Sequence, residues 1–261
     1  MPPDLLTLLS QHNIVIFVII FTRIAGMMAA APLFSGYPIP PQMKIWLVSL
    51  IAFIMFPIVA STIAFKAPSA FPDLIVYLLR EFGVGFMIGF IANLIFAAAQ
   101  MGGEFISLQM GLTMAQVLDP TTGNNFPILS QMFVFLVSFT FIALNAHQWL
   151  FAAVYRSYSA IPPGLEFLFT GEIVSHILHL SAQMFIIAIS MILPVFCVMF
   201  TAEVLMGFTS KMIPQMNIFM VAIPLKIFVG MSLILMFLPP MVSYLANMVQ
   251  SFLKGIVEMM I

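Results

Sequence analysis

Residues 177–206 read ILHLSAQMFIIAISMILPVFCVMFTAEVLM, and this stretch decides the fold class. Glu203 is its one fully charged residue, and Pro194 is its one proline. A helix that crosses a bilayer needs about 20 mostly apolar residues. The stretch is long enough for one crossing, and proline is the residue that most strongly interrupts a helix. It therefore predicts a membrane-spanning helix interrupted at Pro194.

Stretches of the same kind recur along the chain. They are 14–34, 45–65, 78–99, 128–154 and 218–245. The breaks between the spans are rich in proline or glycine: 36–41, 66–68, 102–127, 161–164 and 211–214. Prolines in such breaks end helices. The sequence predicts an all-α polytopic membrane protein of long, proline-broken helical hairpins, with about six apolar spans in a single domain over 1–261.

The composition excludes several classes of protein. Of 261 residues, 63% are hydrophobic and 7% charged, whereas soluble domains are about 45–50% apolar and about 25% charged. A net charge of -1 offers no basic surface to nucleic acid. Cys197 is the only cysteine, which excludes an intrachain disulfide, and we expect it to be a small buried hydrophobe. The first basic residue, Arg23, lies within an apolar run, so no cleaved signal peptide is expected.

Charges between the spans give a small topological bias. Lys66, Arg156 and Lys254 would lie on the side of the N-terminus, and Lys44 and Lys211 on the other side. Positive residues favour the cytoplasmic side. The bias of three against two predicts cytoplasmic termini.

Three charges fall within or beside apolar spans: Arg23, Glu203 and Lys226. An unpaired charge at the bilayer centre costs at least about 2.5–3.5 kcal/mol, so each needs an explanation. Each is either structural, with an opposite charge or several carbonyl oxygens in reach, or part of a polar or proton-responsive pathway. Gly85 and Gly89 form a small-xxx-small pattern, which predicts that another helix packs closely there.

Residues suited to catalysis or to metal binding are scarce. His176 and His179 share a helical face, but only Glu172 is near them and no His-Glu-x-x-His pattern occurs. Nucleophile motifs and phosphate-binding glycine loops are also absent from the sequence. We expect no catalysis, no metal and no cofactor.

Several motifs occur in an order that resembles the FliR family, the export-apparatus subunit of flagella and injectisomes. The resemblance runs from the first span to the last. It rests on Arg23-Ile24-Ala25-Gly26, on Pro38-Ile39-Pro40-Pro41 with Lys44, on Gln109-Met110-Gly111-Leu112 with Asp119-Pro120, on Asn217-Ile218-Phe219, and on Pro224-Leu225-Lys226-Ile227 with Gly230.

The resemblance implies a gate in the bacterial inner membrane, within the flagellar basal body. There FliR-like chains join FliP-like and FliQ-like subunits, next to FlhB and FlhA, and unfolded export substrates pass outward. It also implies hairpins partly raised out of the bilayer plane, which fits the small charge bias. A flagellar system is favoured over an injectisome.

Residues 105–123 are the segment that we expect to plug such a conduit, as the resemblance also implies. The segment contains no Lys or Arg, and loops of this length are usually functional. Its apolar side chains can pack in a narrow part of the conduit, and its polar side chains can contact water. The plug residues are Phe105, Ile106, Leu108, Gln109, Met110, Gly111, Leu112, Met114, Asp119 and Pro120. The alternative is a loop that only packs against a neighbour.

Two other functions stay open at this point. Broken helices with midplane charges would suit a secondary transporter of a small solute. A purely structural scaffold would differ from a gate only in not lining the path. A transporter is expected to be stable and active alone, whereas a gate subunit needs its partners.

Overall fold

The computed structural model describes residues 11–36, 39–60, 71–112, 128–163, 171–212 and 218–258. Helices account for nearly all of these ranges, and none of them contains a strand. The all-α prediction is confirmed. In chain order the helices are α1 (Gln11–Ala30), α2 (Pro32–Ser35), α3 (Pro41–Ala60), α4 (Phe71–Gln109), α5 (Ile128–Ala143), α6 (Ala146–Ala160), α7 (Gly171–Met212) and α8 (Ile218–Glu258).

Five of the helices contain apolar stretches long enough to cross a membrane. These are Asn13–Ala30, Pro41–Ala60, Pro72–Gln109, Val174–Met212 and Val221–Phe252. The pair α5 and α6 adds a sixth if it counts as one broken span. The break between them lies at Asn145, whose φ of 53° is left-handed and ends a regular helix. A polytopic membrane protein of about six spans is confirmed.

The predicted interruption at Pro194 is wrong, because α7 continues through it. Helix α8 also continues through Pro224, Pro239 and Pro240. Helix α4 likewise continues through Gly102 and Gly103 and ends at Gln109. In apolar surroundings an unbonded backbone group is costly, so the helix is kept and only the bonds that proline removes are lost. The break expected from Gly102 onward therefore begins several residues later.

Two compact units can be distinguished in the chain. The first comprises Met1–Leu94, Asn145–Leu180 and Gln250–Ile261. Its core is apolar and combines one face of α1 with parts of α4 and α6. Buried members include Ile20, Ile24, Met27, Ile88, Ile91, Leu150 and Val154.

The second unit comprises Ile95–Leu144 and Ser181–Val249. Phe96 and Phe141 meet edge to face there, with ring centroids 5.6 Å apart. Phe133, Val195 and Met199 are also buried. Helices α4, α7 and α8 each run through both units, so a single domain over 1–261 stays a prediction.

Much of the apolar helix surface is not covered by the chain itself. An 18-residue apolar window within Val221–Phe252 is only 11% buried and one within Pro41–Ala60 is 17% buried, whereas one within Pro72–Gln109 is 61% buried. Cys197 is exposed on α7, so the expectation that it is buried is wrong within this chain. Its neighbours Phe196 and Val198 are exposed as well. These faces are suited to lipid or to other apolar protein surfaces rather than to water.

Candidate functional site

The charge of Arg23 is completely enclosed within the first unit. Its side chain has no exposed surface, and its Nε donates to Glu81 Oε2 at 2.6 Å. Its two terminal nitrogens donate to Ser157 Oγ at 2.8 Å and to the carbonyl oxygen of Ile161 at 3.1 Å. The guanidinium carbon lies 4.0 Å from the centre of the Tyr158 ring. Every guanidinium nitrogen therefore has a partner.

This cluster joins three helices, because Arg23 lies on α1, Glu81 on α4, and Ser157 and Tyr158 on α6. A buried cation is tolerated when it is paired and hydrogen-bonded, and a planar guanidinium suits several acceptors at once. The geometry is that of a structural junction. Glu81 was not identified from the sequence as the partner of Arg23, although Arg80 and Glu81 are the only charges in the predicted span 78–99.

Glycines allow α1 and α4 to approach closely beside this junction. A Cβ at Gly85 would overlap the carbonyl oxygen of Arg23, and one at Gly89 would overlap that of Met27. The contact is reciprocal, because a Cβ at Gly26 on α1 would overlap the carbonyl oxygen of Phe82 on α4. The helix that approaches Gly85 and Gly89 is thus α1 of the same chain. Gly26 was not identified from the sequence as a packing residue, although a glycine inside an apolar span is a recognised sign of close helix contact.

The other two charges meet in the second unit. Lys226 Nζ lies 2.9 Å from Glu203 Oε1, and Gln109 Nε2 donates to Glu203 Oε2 at 3.3 Å. The side chain of Lys226 is 15% exposed, whereas that of Glu203 is 52% exposed. Glu203 therefore differs from the expectation of a buried charge, because its face of α7 is left open by the chain.

The described part of the plug segment is the end of α4. Phe105 and Leu108 are exposed, whereas Ile106 and Met110 are buried in the second unit. Gly111 follows with a φ of +76°. In this conformation Ile106 and Met110 cannot contact a passing chain. Of the remaining plug residues, Gln109 and Leu112 are described, and Met114, Asp119 and Pro120 lie outside the described residues.

Side chains that could bind a metal are scattered over the part of the chain that the structure describes. Within those ranges, no three side chains of His, Cys, Asp or Glu come together as a metal site would require. His176 is half-buried, and His179 on the same helix is exposed.

Comparison with known proteins places the chain among export proteins. The family described as bacterial export proteins, family 1, matches residues 14–252. The flagellar biosynthetic protein FliR of Bacillus subtilis (strain 168) is 34% identical over 218 residues, which cover 82% of each chain. That of Escherichia coli (strain K12) is 28% identical over 240 residues, 90% of each chain. That of Aquifex aeolicus (strain VF5) is 24% identical over 247 residues, 94% of this chain and 93% of the relative. The match extends from within α1 to the last turns of α8, and the chain belongs to the bacterial export proteins, family 1.

Proposed function

We propose that this chain is a subunit of the flagellar type III protein-export gate in the bacterial inner membrane. It helps to form and to close the conduit through which unfolded substrate proteins leave the cytoplasm. The names of its relatives and its family support this assignment. The five to six apolar helices support a multi-pass location in the membrane.

The observation that carries the proposal is the apolar surface that the chain leaves uncovered. Trp46 and Phe53 on α3 are 76% and 70% exposed, and Phe228 on α8 is 73% exposed. An 18-residue apolar window within Val221–Phe252 is only 11% buried by the chain itself. Such faces suit contacts with other helical subunits, for which FliP-like and FliQ-like chains, FlhB and FlhA are our candidates. Association of that kind buries apolar area and stabilises the assembly.

A solute transporter has less support. A midplane substrate site is typically formed by helices that unwind and expose backbone groups to the substrate. Here α7 and α8 continue through their prolines. Lys226 and Glu203, the charges that a transporter would offer to a solute or ion, are paired with each other. The two functions make different predictions for the isolated chain.

Co-purification tests the dependence on partners. Expressed alone, the chain is expected to aggregate or be degraded, and expressed with FliP-like and FliQ-like chains it is expected to purify as a complex. The measured mass of the intact complex gives its subunit composition. A monodisperse, transport-competent monomer in detergent would refute the gate and support the transporter.

Closure of the conduit belongs to the same proposal. We assign it to the segment 105–123, with Phe105, Leu108 and the residues after Gly111 as the part that meets the lumen. Support comes from the exposure of Phe105 and Leu108 at the end of α4. Hydrophobic constrictions can exclude water and ions, and the lack of Lys and Arg avoids repelling basic stretches of a passing chain.

A replacement tests the plug without disturbing the described core. Residues 113–122 are exchanged for a Gly-Ser linker of equal length, so that Ile106 and Met110 stay in place. The complex is expected to assemble but to make the membrane leak small ions, measured as conductance or as salt sensitivity of cells. The control is a Gly-Ser exchange of 165–168, which is expected to remain tight. If the 113–122 variant assembles, stays tight and exports normally, the segment is not a plug.

A further inference from the structure

The end of α4 is held by two contacts within the second unit. The side-chain amide of Gln109, the last residue of α4, donates to Glu203 on α7. The next residue, Met110, is completely buried against Gly230 on α8. Met110 keeps a helical bond from its own backbone N–H to the carbonyl oxygen of Ile106 at 2.9 Å. Two consecutive residues are therefore fixed, each by a different helix.

The ion pair gives the first contact its strength. Lys226 is largely enclosed and needs an anion, which Glu203 Oε1 supplies at 2.9 Å. This contact leaves Oε2 free to accept the amide proton of Gln109. A hydrogen bond to a charged acceptor is stronger than one between neutral groups. Lys226 thereby holds the carboxylate in the position where Gln109 can reach it.

The second contact depends on the missing side chain of Gly230. A Cβ at this position would lie 2.6 Å from Cγ, 2.7 Å from Sδ and 2.8 Å from Cε of Met110. Lys226 and Gly230 are four residues apart, so they lie on the same face of α8. One face of α8 thus supports the ion pair and receives Met110.

The helix ends immediately beyond these contacts. The N–H of Gly111 donates to the carbonyl oxygen of Leu108 at 3.0 Å, and its φ of +76° is a conformation that glycine adopts at little cost. Among the described residues other than its chain neighbours, no heavy atom lies within 4 Å of a Cβ built at Gly111. The clamped residues are therefore followed by a residue with an unwound backbone, against which nothing in the described part of the chain packs.

We propose that Glu203, Lys226 and Gly230 form a clamp that fixes the C-terminal end of α4 and so sets the point from which residues 113–127 depart. They are positioning residues, and none of them is required to contact a substrate. The consequence for export rests on the proposed plug, but the clamp itself is a statement about the order of residues 106–112. The two can therefore fail separately.

The experiment measures local order in the purified complex. Hydrogen exchange of peptides covering 104–112 is compared in wild type, Gln109→Ala, Glu203→Gln and Gly230→Ala. Gln109→Ala and Glu203→Gln are expected to speed exchange by about two- to tenfold, because they remove or weaken the hydrogen bond between Gln109 and a charged acceptor. Gly230→Ala is expected to speed exchange because its Cβ would overlap Met110. Glu104→Gln is the matched control, since Glu104 accepts a bond from Gln100 and lies outside the clamp. It is expected to leave exchange unchanged.

Two rescues separate the clamp from a general loss of stability. The exchange of charges, Glu203→Lys with Lys226→Glu, is expected to restore protection, because the amide of Gln109 can present its oxygen to a lysine instead. The pair Gly230→Ala with Met110→Ala is expected to relieve the overlap and to recover part of the protection. Gln109→Ala leaves the ion pair intact and so keeps the test valid if the charge variants fail to assemble.

Ion leak is recorded for the same variants. Faster exchange without leak supports the clamp and counts against the plug. A leak in the 113–122 replacement, together with unchanged exchange in Gln109→Ala and Gly230→Ala, overturns the clamp and leaves the plug standing. Unchanged exchange in those two variants overturns the clamp whatever the leak measurement shows.

Discussion

Replacing Glu81 by glutamine removes the only anion that faces Arg23 in the described part of the chain while preserving shape. The amide oxygen of the new side chain could still accept from Nε of Arg23, and Ser157 Oγ and the carbonyl oxygen of Ile161 would keep their bonds. The guanidinium would remain fully enclosed. The variant therefore isolates the effect of the missing charge from that of missing hydrogen bonds.

The expected magnitude follows from the burial of both partners. Their side chains are 0% and 4% exposed, so neither charge is screened by water. Removing one partner of such a pair costs about 3–5 kcal/mol. For a chain of this size each kcal/mol lowers Tm by about 2–4 °C, which predicts a Tm lower by about 6–20 °C. The corresponding fall in the level of intact complex in cells should be severe.

The assay is the thermal unfolding of the purified complex, with two comparison variants. Asp73→Asn removes an exposed carboxylate from the first turn of the same helix and is expected to change Tm by no more than about 4 °C. Replacing both partners by methionine is expected to recover most of the loss, because a buried pair is often no more stable than apolar residues of similar volume. If Glu81→Gln melts like Asp73→Asn, or if the double variant is no better than Glu81→Gln, the charge is not what matters at this junction.

Two glycine comparisons test helix contacts, one in each unit. Gly85→Ala is expected to lower Tm because its Cβ would overlap the Arg23 carbonyl oxygen, at a typical cost of about 1–3 kcal/mol. A Cβ at Gly83 meets no described residue within 4 Å, so Gly83→Ala is expected to leave Tm unchanged or to raise it through helix propensity. Equal effects of the two would refute the close crossing of α1 and α4. Gly103→Ala is expected to destabilise the protein, because its Cβ would lie 2.8 Å from the nitrogen of Ser130 and 2.9 Å from Phe133 Cδ2. Gly207→Ala is expected to be neutral, because its Cβ would have no neighbour within 4 Å in the described ranges. A neutral Gly103→Ala would contradict the packing of α4 against α5.

The fold class was predictable because it follows from the apolar composition and the length of the spans. Apolar stretches that exceed a bilayer leave few alternatives to helices, since every backbone group must be bonded internally. The same rule explains why the predicted helix interruptions were less accurate than the predicted fold class. A proline such as Pro194 removes a single helical bond, and the apolar surroundings retain the others. Gly102 and Gly103 were assigned to a break, but both are buried within α4, and Gly103 allows Ser130 to approach closely.

The site could be predicted only in part because pairing is a long-range property. Arg23 was identified as a charge that needs a partner, but Glu81 is 58 positions away and nothing local connects the two. Lys226 and Glu203 were both identified as charges that need a partner, but they lie on different helices and nothing in the sequence pairs them with each other. The exposure of Cys197 depends on what covers α7, and a sequence pattern does not show which apolar faces the chain covers itself.

The two charged clusters differ in a way that bears on how the chain works. In the first unit the cation is enclosed and every guanidinium nitrogen is bonded within the chain, so Arg23 needs nothing from outside. In the second unit Glu203 is half exposed beside the apolar residues Val204, Leu205 and Phe208, all of them uncovered. A carboxylate at the edge of an apolar face is stable in contact with water or with a polar group of a neighbouring molecule, but not with lipid tails. A location of this face against hydrocarbon alone is therefore disfavoured, whereas an interface with another subunit that offers both a polar group and apolar side chains satisfies the carboxylate and the apolar residues around it.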